Sequence, residues 1–375
     1  MMKSIWLLIL LLVTAVRLHS GADPLTDKID SIFAGLQSSD APGAVVLVIK
    51  DERVVFQRGY GVTDLRSLHK IDQQTNFRLA SVTKQFTAMA IMLLVHDGKL
   101  RYDDRLTDIF PDFPDYGRAI TVRHLLNHTS GLQDYEDLMP PSDPKVPVEQ
   151  IQIQDAGVLD LLKSQTGTKF QPGSKWAYSN SGYVLLGLIV QNVSGESFPD
   201  FLHHRIFAPS GMSHTIAYVR GRNTVPNRAF GHSMQSGRWK ETDQSPTSAT
   251  LGDGGVYSSL ADLAKWDRAL RRNTLLSEHE MQAAFTPVEV QEGGATEPDG
   301  SPAAYGFGLF LNPYKGHKRM WHYGETMGFR TTIQRFLDDH LTIVILCNRA
   351  DLNPSALALQ AADLFLQEDK SHTQR

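Results

Sequence analysis

Cysteine and clustered positive charge are both scarce in this sequence of 375 residues. Cys347 is the only cysteine, so the monomer has no internal disulfide and its core has to stabilise it. Because Cys347 lies in an apolar, strand-like run, we expect a buried and inert thiol. The 37 lysines and arginines nearly balance the 41 acidic residues and form no basic stripe. Binding to nucleic acid or to an anionic membrane is therefore not expected.

Long apolar runs are also scarce, and the one that stands out lies at the N-terminus. A lysine near the start, an apolar core over residues 5–16 and small residues over 20–22 form the pattern of a secretory signal peptide. The apolar core is too short to cross a bilayer as a mature helix. We therefore predict a signal peptide at 1–22 and a mature, periplasmic or secreted chain over 23–375 without stable membrane insertion.

Two common hydrolase signatures are missing. The chain has no G-x-S-x-G, which an α/β-hydrolase needs at its nucleophile elbow, and no H-E-x-x-H, which many zinc hydrolases need. Fourteen histidines are present, but His203 and His204 are adjacent and cannot share a helix face. His124 and His128 share one without an evident third ligand. The sequence therefore predicts no metal site and no cofactor.

A candidate nucleophile lies at the start of a predicted helix. Ser81 and Lys84 form an S-x-x-K motif, and the run 85–95 that follows has apolar residues at helical spacing. On a helix, Lys84 lies one turn beyond Ser81 on the same face, and unpaired N–H groups at the N-terminus favour a negative oxygen. The S-x-x-K copies at Ser67 and Ser142 lie in polar or proline-rich surroundings. The Ser81 copy indicates either an activated serine or a plain helix cap.

A second segment contains residue types that such a serine requires. Tyr178 and Asn180 face the same way if the backbone between them is extended. A phenol beside the Lys84 ammonium is expected to ionise more easily, so Tyr178 is a candidate for removing the serine proton. The Asn180 amide can donate to a substrate carbonyl. The alternative is a core tyrosine followed by a helix-capping residue.

A third segment ends a predicted strand with His322, Tyr323, Gly324 and Glu325. A glycine allows the backbone to approach a ligand closely. The N–H group of Glu325, opposite that of Ser81, would then complete an oxyanion hole. An ordinary turn is the alternative for this segment.

In this order, the motifs S-x-x-K, Y-x-N and H-x-G resemble those of the penicillin-recognising serine hydrolases. That group contains class C β-lactamases, D-alanyl-D-alanine carboxypeptidases, D-aminopeptidases and related esterases. Segments 125–132, 171–180 and 254–264 are also similar to recurring blocks of the group, including its H-T-S-G-L stretch. The resemblance extends from about residue 23 to the C-terminus.

The resemblance implies an acyl-enzyme cycle that needs no metal. Its catalytic residues would be Ser81 as nucleophile, with Lys84 and Tyr178 handling the proton. It also implies that His322 borders the pocket and that the N–H groups of Ser81 and Glu325 stabilise the oxyanion. The substrate-binding and oxyanion residues implied in this way are Asn180, His322, Gly324 and Glu325.

The third motif departs from the Lys-Thr-Gly of the β-lactamases in this group. Histidine is mostly neutral above pH ~6.5, so His322 should anchor an anionic β-lactam weakly. Arg330 is either a replacement cation or a plain surface arginine. We expect an exported hydrolase of small esters or amides, resembling an esterase or a D-amino-acid peptidase. A true β-lactamase, a D,D-carboxypeptidase and a catalytically silent binding protein on the same fold are the alternatives, and the oligomeric state is left open.

The resemblance and the hydrophobic patterns together imply an α/β (α+β) fold of the β-lactamase/transpeptidase type. We expect a mostly antiparallel sheet built from both chain ends and flanked by helices. An α/β lobe over about 23–115 and 251–375 would enclose an all-helical lobe over about 116–250, with the site between them. The predicted strands are 41–50, 53–60, 305–311, 319–323, 329–336 and 341–347, and further predicted helices are 122–127, 158–162, 183–193, 198–207 and 354–367.

Overall fold

A computed structural model describes residues 24–143 and 145–366 of the chain. Its strands are β1 (Ala44–Lys50), β2 (Arg53–Tyr60), β3 (Phe77–Arg78), β4 (Ile216–Ala217), β5 (His232–Gln235), β6 (Arg238–Glu241), β7 (Val256–Ser258), β8 (Arg319–Thr326), β9 (Phe329–Phe336) and β10 (Leu341–Cys347). Its α-helices are α1 (Pro24–Ile32), α2 (Lys84–His96), α3 (Leu106–Ile109), α4 (Val122–Leu126), α5 (Tyr135–Leu138), α6 (Asp155–Lys163), α7 (Asn180–Ser194), α8 (Phe198–Leu202), α9 (Leu260–Arg271), α10 (Glu278–Phe285) and α11 (Pro354–Ala362). Shorter helical segments are the 3₁₀ turns Ala34–Leu36, Ala80–Thr83, Asp115–Ala119 and Val148–Gln150 and the π turn His203–Phe207.

The main sheet has five antiparallel strands in the order β2-β1-β10-β9-β8. It is built from both ends of the chain, as predicted. Alternate residues of β1 belong to two different cores: Val45 and Leu47 pack in the large core that contains α2 and α7, whereas Val46 and Val48 pack with α1 and α11. Because both faces are covered, β1 is apolar along nearly its whole length and does not alternate with polar residues.

The predicted strand 305–311 is wrong. Tyr305 and Phe310 form only an isolated bridge with each other, and Phe310 forms another with Trp321 on β8. Gly308 lies between them with a positive φ of 69°, and a Cβ there would lie 2.7 Å from the carbonyl oxygen of Lys84. The segment turns back at Gly308 and packs against the start of α2 instead of continuing as a strand.

The prediction that the region 116–250 is all helical is also wrong, because β4, β5 and β6 lie within it. β5 and β6 form a hairpin that is absent from the predicted strands. Ser236 and Gly237 both have positive φ, at 49° and 74°, which is the geometry of a type I′ hairpin turn. The lobe boundaries near residues 116 and 250 stay predictions.

The remaining predicted helices correspond to α2, α4, α6, α7, α8 and α11, with small shifts at their ends. The predicted helix 198–207 changes to π geometry after Leu202, and the last helix ends at Ala362. Cys347 is fully buried, as expected. No helix in the described part of the chain is long and apolar enough to span a bilayer. The predicted signal peptide and Gln367 lie outside the described residues.

Candidate active site

Ser81 lies in the 3₁₀ turn Ala80–Thr83, directly before α2. We predicted it in the first turn of the α-helix, but regular α-helix begins only at Lys84. The turn contains local strain, because Ala80 has a positive φ of 49°. The predicted contact is nevertheless present, since the Lys84 Nζ lies 3.0 Å from the Ser81 Oγ. Ser81 itself is half-buried.

Lys84 is completely buried at the base of this site. Besides Ser81, its Nζ contacts two pure acceptors, the Asn180 Oδ1 at 2.9 Å and the Asp253 carbonyl oxygen at 3.1 Å. Burial lowers the pKa of Lys84 to about 8, although nearby carboxylates act in the opposite direction. A neutral amine has two N–H donors and one lone pair. The two acceptors take the two donors, and the lone pair then faces the Ser81 hydroxyl.

Tyr178 packs its ring over this amine, with the Lys84 Nζ 4.8 Å from the ring centroid. The prediction that Lys84 makes the phenol ionise more easily is wrong. Burial raises the pKa of Tyr178 well above its ordinary value, and the interaction with Ser81 offsets only part of that rise. Its hydroxyl oxygen is buried, and no described residue, Ser81 included, makes a hydrogen bond of normal geometry with it. The phenol therefore keeps its proton and can donate it.

Asn180 is the first residue of α7, which is capped by the Ser179 side chain. Its side-chain oxygen accepts from Lys84, and its Nδ2 donates to Glu136 Oε1 over 3.2 Å. Its backbone N–H donates to Asp134 Oδ2 over 2.8 Å. Tyr178 and Asn180 thus both contact Lys84, and the second N–H of the Asn180 amide is left for another acceptor.

Gly324 brings strand β8 against the nucleophile turn. A Cβ at this position would lie 2.1 Å from the Leu79 carbonyl oxygen, 2.3 Å from Thr331 Oγ1 and 3.2 Å from the Cβ of Ala80. These distances are shorter than real Cβ atoms tolerate, so only glycine allows the strand to lie this close to the residue before Ser81.

Glu325 presents its backbone N–H at the outer edge of the sheet. Trp321 and Phe310 exchange backbone hydrogen bonds of 2.8 and 2.9 Å on the side of β8 that faces away from β9. Backbone groups two and four residues further along a strand point to the same edge, so the N–H of Glu325 does too. Its carboxylate is mostly exposed and lies 2.7 Å from Arg330, so Arg330 is paired and is not a free cation.

His322 does not border the pocket, and that expectation is corrected. Its side chain is completely buried, and both ring nitrogens have partners. Nδ1 lies 2.6 Å from the Tyr323 carbonyl oxygen and Nε2 lies 3.1 Å from the Tyr305 hydroxyl. Burial, together with the nearby Lys84 charge, lowers the pKa of His322 to about 3. The imidazole is therefore neutral at physiological pH and cannot serve as a cation for an anionic substrate.

The sequence reasoning missed three carboxylates around Lys84 and Asn180, namely Asp134, Glu136 and Asp253. Burial raises the pKa of Asp134, and partial burial raises that of Glu136. The Asp253 carboxylate accepts from the Tyr135 hydroxyl over 3.0 Å. Across residues 24–143 and 145–366, no three His, Cys, Asp or Glu side chains are grouped so as to hold a metal ion. The sequence did offer a signal for the three carboxylates. Asp134 and Glu136 come just after the H-T-S-G-L stretch, and Asp253 directly precedes G-G-V-Y.

A cavity of about 600 Å³ has Glu136, which contacts the Asn180 amide, in its lining. Its walls are largely apolar and come from the loop after α5, from α6 and from the loop before β7. The residues that line it include Met139, Pro140, Ile151, Ile153, Leu161 and Pro246. A smaller cleft of about 270 Å³ lies beyond β8 and is lined by Tyr323, Glu325 and Arg330 among others.

The half-buried serine against a buried lysine, beneath one edge of an antiparallel sheet, is the arrangement of an S-x-x-K serine hydrolase. Residues 29–368 match the family described as Beta-lactamase. The chain belongs to this family. It has the β-lactamase/transpeptidase-like fold.

Individual relatives agree with this assignment. A penicillin-binding protein of Bacillus subtilis is 31% identical over 355 residues, which cover 90% of this chain and 75% of the relative. A D-aminopeptidase of Brucella anthropi is 30% identical over 322 residues, or 83% of this chain and 57% of that enzyme. The crystal structure of a D-amino acid amidase from Ochrobactrum anthropi in complex with D-phenylalanine has a TM-score of 0.76 and 25% identity, covering 91% and 99% of the two chains.

Proposed function

We propose that Ser81 forms an acyl-enzyme and that the protein hydrolyses an amide or ester of a small acyl substrate. The observation that carries this proposal is the environment of Lys84 Nζ. Two acceptors take the two N–H groups of the neutral amine, and its lone pair is left to point towards Ser81 Oγ at 3.0 Å. A buried amine with its lone pair on a hydroxyl is equipped to remove that proton.

In this mechanism the proton moves within one small group of residues. Neutral Lys84 takes the Ser81 proton as the Oγ attacks the acyl carbonyl, and the N–H groups of Ser81 and Glu325 bind the oxyanion. Tyr178 donates its proton to the leaving group and is reprotonated from Lys84. Water then attacks the acyl-enzyme with Lys84 again as the base, which releases the acid and restores Ser81. The raised pKa of Tyr178 supports its role as a donor and not as the base.

The activity should rise with pH until Lys84 is neutral. Since burial lowers the pKa of Lys84 to about 8, kcat/KM for p-nitrophenyl acetate is expected to increase about tenfold per pH unit below pH 8 and to level off above it. The measurement is an initial-rate profile from pH 6 to 10, corrected for the buffer rate. A limb that continues to rise to the ordinary lysine value near pH ~10.4 would exclude the neutral amine as base.

We propose that the acyl group has a free amine and an apolar side chain, as in a D-amino-acid amide. Asp134 and Glu136 place negative charge beside Asn180, and neutral His322 supplies no counter-charge for an anionic substrate. The apolar cavity that has Glu136 in its lining has room for a hydrophobic side chain. The names of the D-aminopeptidase and D-amino acid amidase relatives agree with this choice.

The Glu136 carboxylate should set the preference for an amine. We expect wild type to cleave D-phenylalanine p-nitroanilide at least about 10-fold better than its N-acetylated form, and Glu136→Gln to lose most of that preference because it removes the charge that faces the ammonium. The ratio of the two kcat/KM values is the measurement. Glu278→Gln, an exposed acid at the start of α10, is the control and should retain the preference.

Nitrocefin and a fluorophosphonate probe test the alternatives. Faster turnover of nitrocefin than of either anilide would favour a β-lactamase and would contradict the aminoacyl assignment. A folded sample that hydrolyses no substrate and is not labelled by a fluorophosphonate would favour the silent binding protein. We also propose, from the pattern of residues 1–22, that the enzyme acts in the periplasm or outside the cell.

A further inference from the structure

A buried chain of side chains connects two walls of the site. The backbone N–H of Ser179 donates to His128 Nδ1 over 3.2 Å, and His128 Nε2 lies 3.1 Å from the Tyr305 hydroxyl. That hydroxyl lies 3.1 Å from His322 Nε2, and His322 Nδ1 lies 2.6 Å from the Tyr323 carbonyl oxygen. His128, Tyr305 and His322 are each at most 1% exposed. The chain thus begins and ends on main-chain groups.

The two ends determine where every proton lies. A backbone N–H can only donate, so His128 Nδ1 is an acceptor and its neutral ring has the proton on Nε2. A carbonyl oxygen can only accept, so His322 has its proton on Nδ1 and accepts at Nε2. The Tyr305 hydroxyl must therefore accept from His128 and donate to His322. Within this chain of hydrogen bonds, one direction is possible while both rings are neutral. The Tyr183 hydroxyl, which donates to the Leu126 carbonyl oxygen over 2.7 Å, is a further neighbour of the Tyr305 hydroxyl.

The surroundings keep these groups neutral. Burial and the nearby Lys84 charge lower the pKa of His128 and of His322 below their ordinary values. Burial raises the pKa of Tyr305, so its hydroxyl keeps its proton. None of the three side chains reaches the pocket surface, and the mechanism above assigns no proton transfer to them.

The chain of hydrogen bonds joins parts of the site that come from distant segments. Ser179 stands between Tyr178 and Asn180 at the start of α7, whereas Tyr323 stands between His322 and Gly324 on β8. Tyr178 depends on this packing, because no described residue makes a hydrogen bond of normal geometry with its own hydroxyl. The His128 ring lies 4.4 Å from the Tyr178 ring, measured between centroids.

We propose that His128 and Tyr305 are positioning residues, which set the separation between the Tyr178–Asn180 segment and the oxyanion strand β8. This inference rests on the proposed function, because only that function requires Tyr178 and the N–H of Glu325 to act on the same acyl group. A displacement of about 1 Å between such groups is enough to reduce a rate by about 100-fold.

Tyr305→Phe removes the central hydroxyl and keeps the ring that packs against Phe310 and Trp176. We expect kcat for the preferred anilide to fall by about 10- to 100-fold and KM to stay within about twofold. Tyr116→Phe is the matched control. It removes a tyrosine hydroxyl outside the chain, one that donates to the Leu162 carbonyl oxygen, and it should leave both constants unchanged. An unchanged kcat in folded Tyr305→Phe would overturn the proposal.

Two readouts keep the test valid if Tyr305→Phe fails to fold. Nitrogen-15 NMR of histidine-labelled wild type should show His128 protonated at Nε2 and His322 at Nδ1, and the opposite tautomers would overturn the chain. His128→Gln keeps an acceptor and a donor and should retain more kcat than His128→Leu, and equal losses would count against a positioning role.

The NMR result does not depend on turnover. The expected tautomers in a protein whose Ser81→Ala variant is still active would leave the hydrogen-bond chain intact and reject the proposed function. Reversed tautomers in a protein whose activity requires Ser81 would reject the hydrogen-bond chain and leave the proposed function intact.

Discussion

Ser81→Ala is expected to reduce kcat/KM for the aryl ester and the anilide by about 10⁴- to 10⁶-fold, the range seen when a catalytic serine is removed. Without the Oγ no acyl-enzyme can form, and the remaining oxyanion donors act only on water attack. Because the Ser81 side chain is half-buried, the unfolding temperature should change little. Initial rates and a thermal melt measure the two effects.

The chain supplies a matched control for this substitution. Ser67 begins another S-x-x-K copy, but its hydroxyl donates to Asp64 Oδ2 over 2.7 Å. Ser67→Ala should keep full activity. Intact-mass analysis after treatment with a fluorophosphonate should show one adduct in wild type and in Ser67→Ala, and none in Ser81→Ala. Turnover by folded Ser81→Ala at more than about one hundredth of the wild-type rate would place the nucleophile elsewhere.

Lys84→Met is expected to reduce kcat/KM by about 10²- to 10⁴-fold, the usual contribution of a general base. Methionine has a similar length but no amine, so the Ser81 proton loses its acceptor. Methionine leaves the Asn180 Oδ1 and the Asp253 carbonyl oxygen without the donors that Lys84 supplies. We therefore expect a lower unfolding temperature than that of wild type, together with the loss of activity.

The pH profile separates a catalytic from a structural role for this lysine. The remaining activity of Lys84→Met should no longer show the rise that ends near pH 8 in wild type. Lys70→Met is the control from the second S-x-x-K copy, where Nζ donates to the Ser39 carbonyl oxygen over 3.1 Å, and it should behave as wild type. A near-normal rate in Lys84→Met would make the lysine structural and would leave Tyr178 as the base.

The local part of the site could be predicted from the sequence. Ser81 and Lys84 are three residues apart at the start of an apolar helix, and this spacing alone brings Nζ to Oγ. The state of Tyr178 could not be predicted in this way. Its proximity to Lys84 was correct, but the sign of its pKa shift depends on burial by His128 and Trp176, which come from other segments.

The same distinction holds for His322 and for the fold. The sequence predicts that His322 lies at the end of a strand. Only the packing of Tyr305 beside it shows that the imidazole is buried. Long apolar runs such as β1 and β10 were predictable because both of their faces are covered. The β5–β6 hairpin was missed because its strands are four residues each and mostly exposed, so they contain little hydrophobic signal.

The strand order of the main sheet has a consequence for biosynthesis. β10 is the last of the described strands to be translated, yet it lies between β1 and β9 in the sheet. Until the ribosome has released Cys347, β1 has one unpaired edge and the β8–β9 hairpin has no sheet to join. The nascent polypeptide therefore carries Ser81 and Lys84 without the wall that contains Gly324, so we expect no hydrolysis until β10 has been synthesised and has joined the sheet.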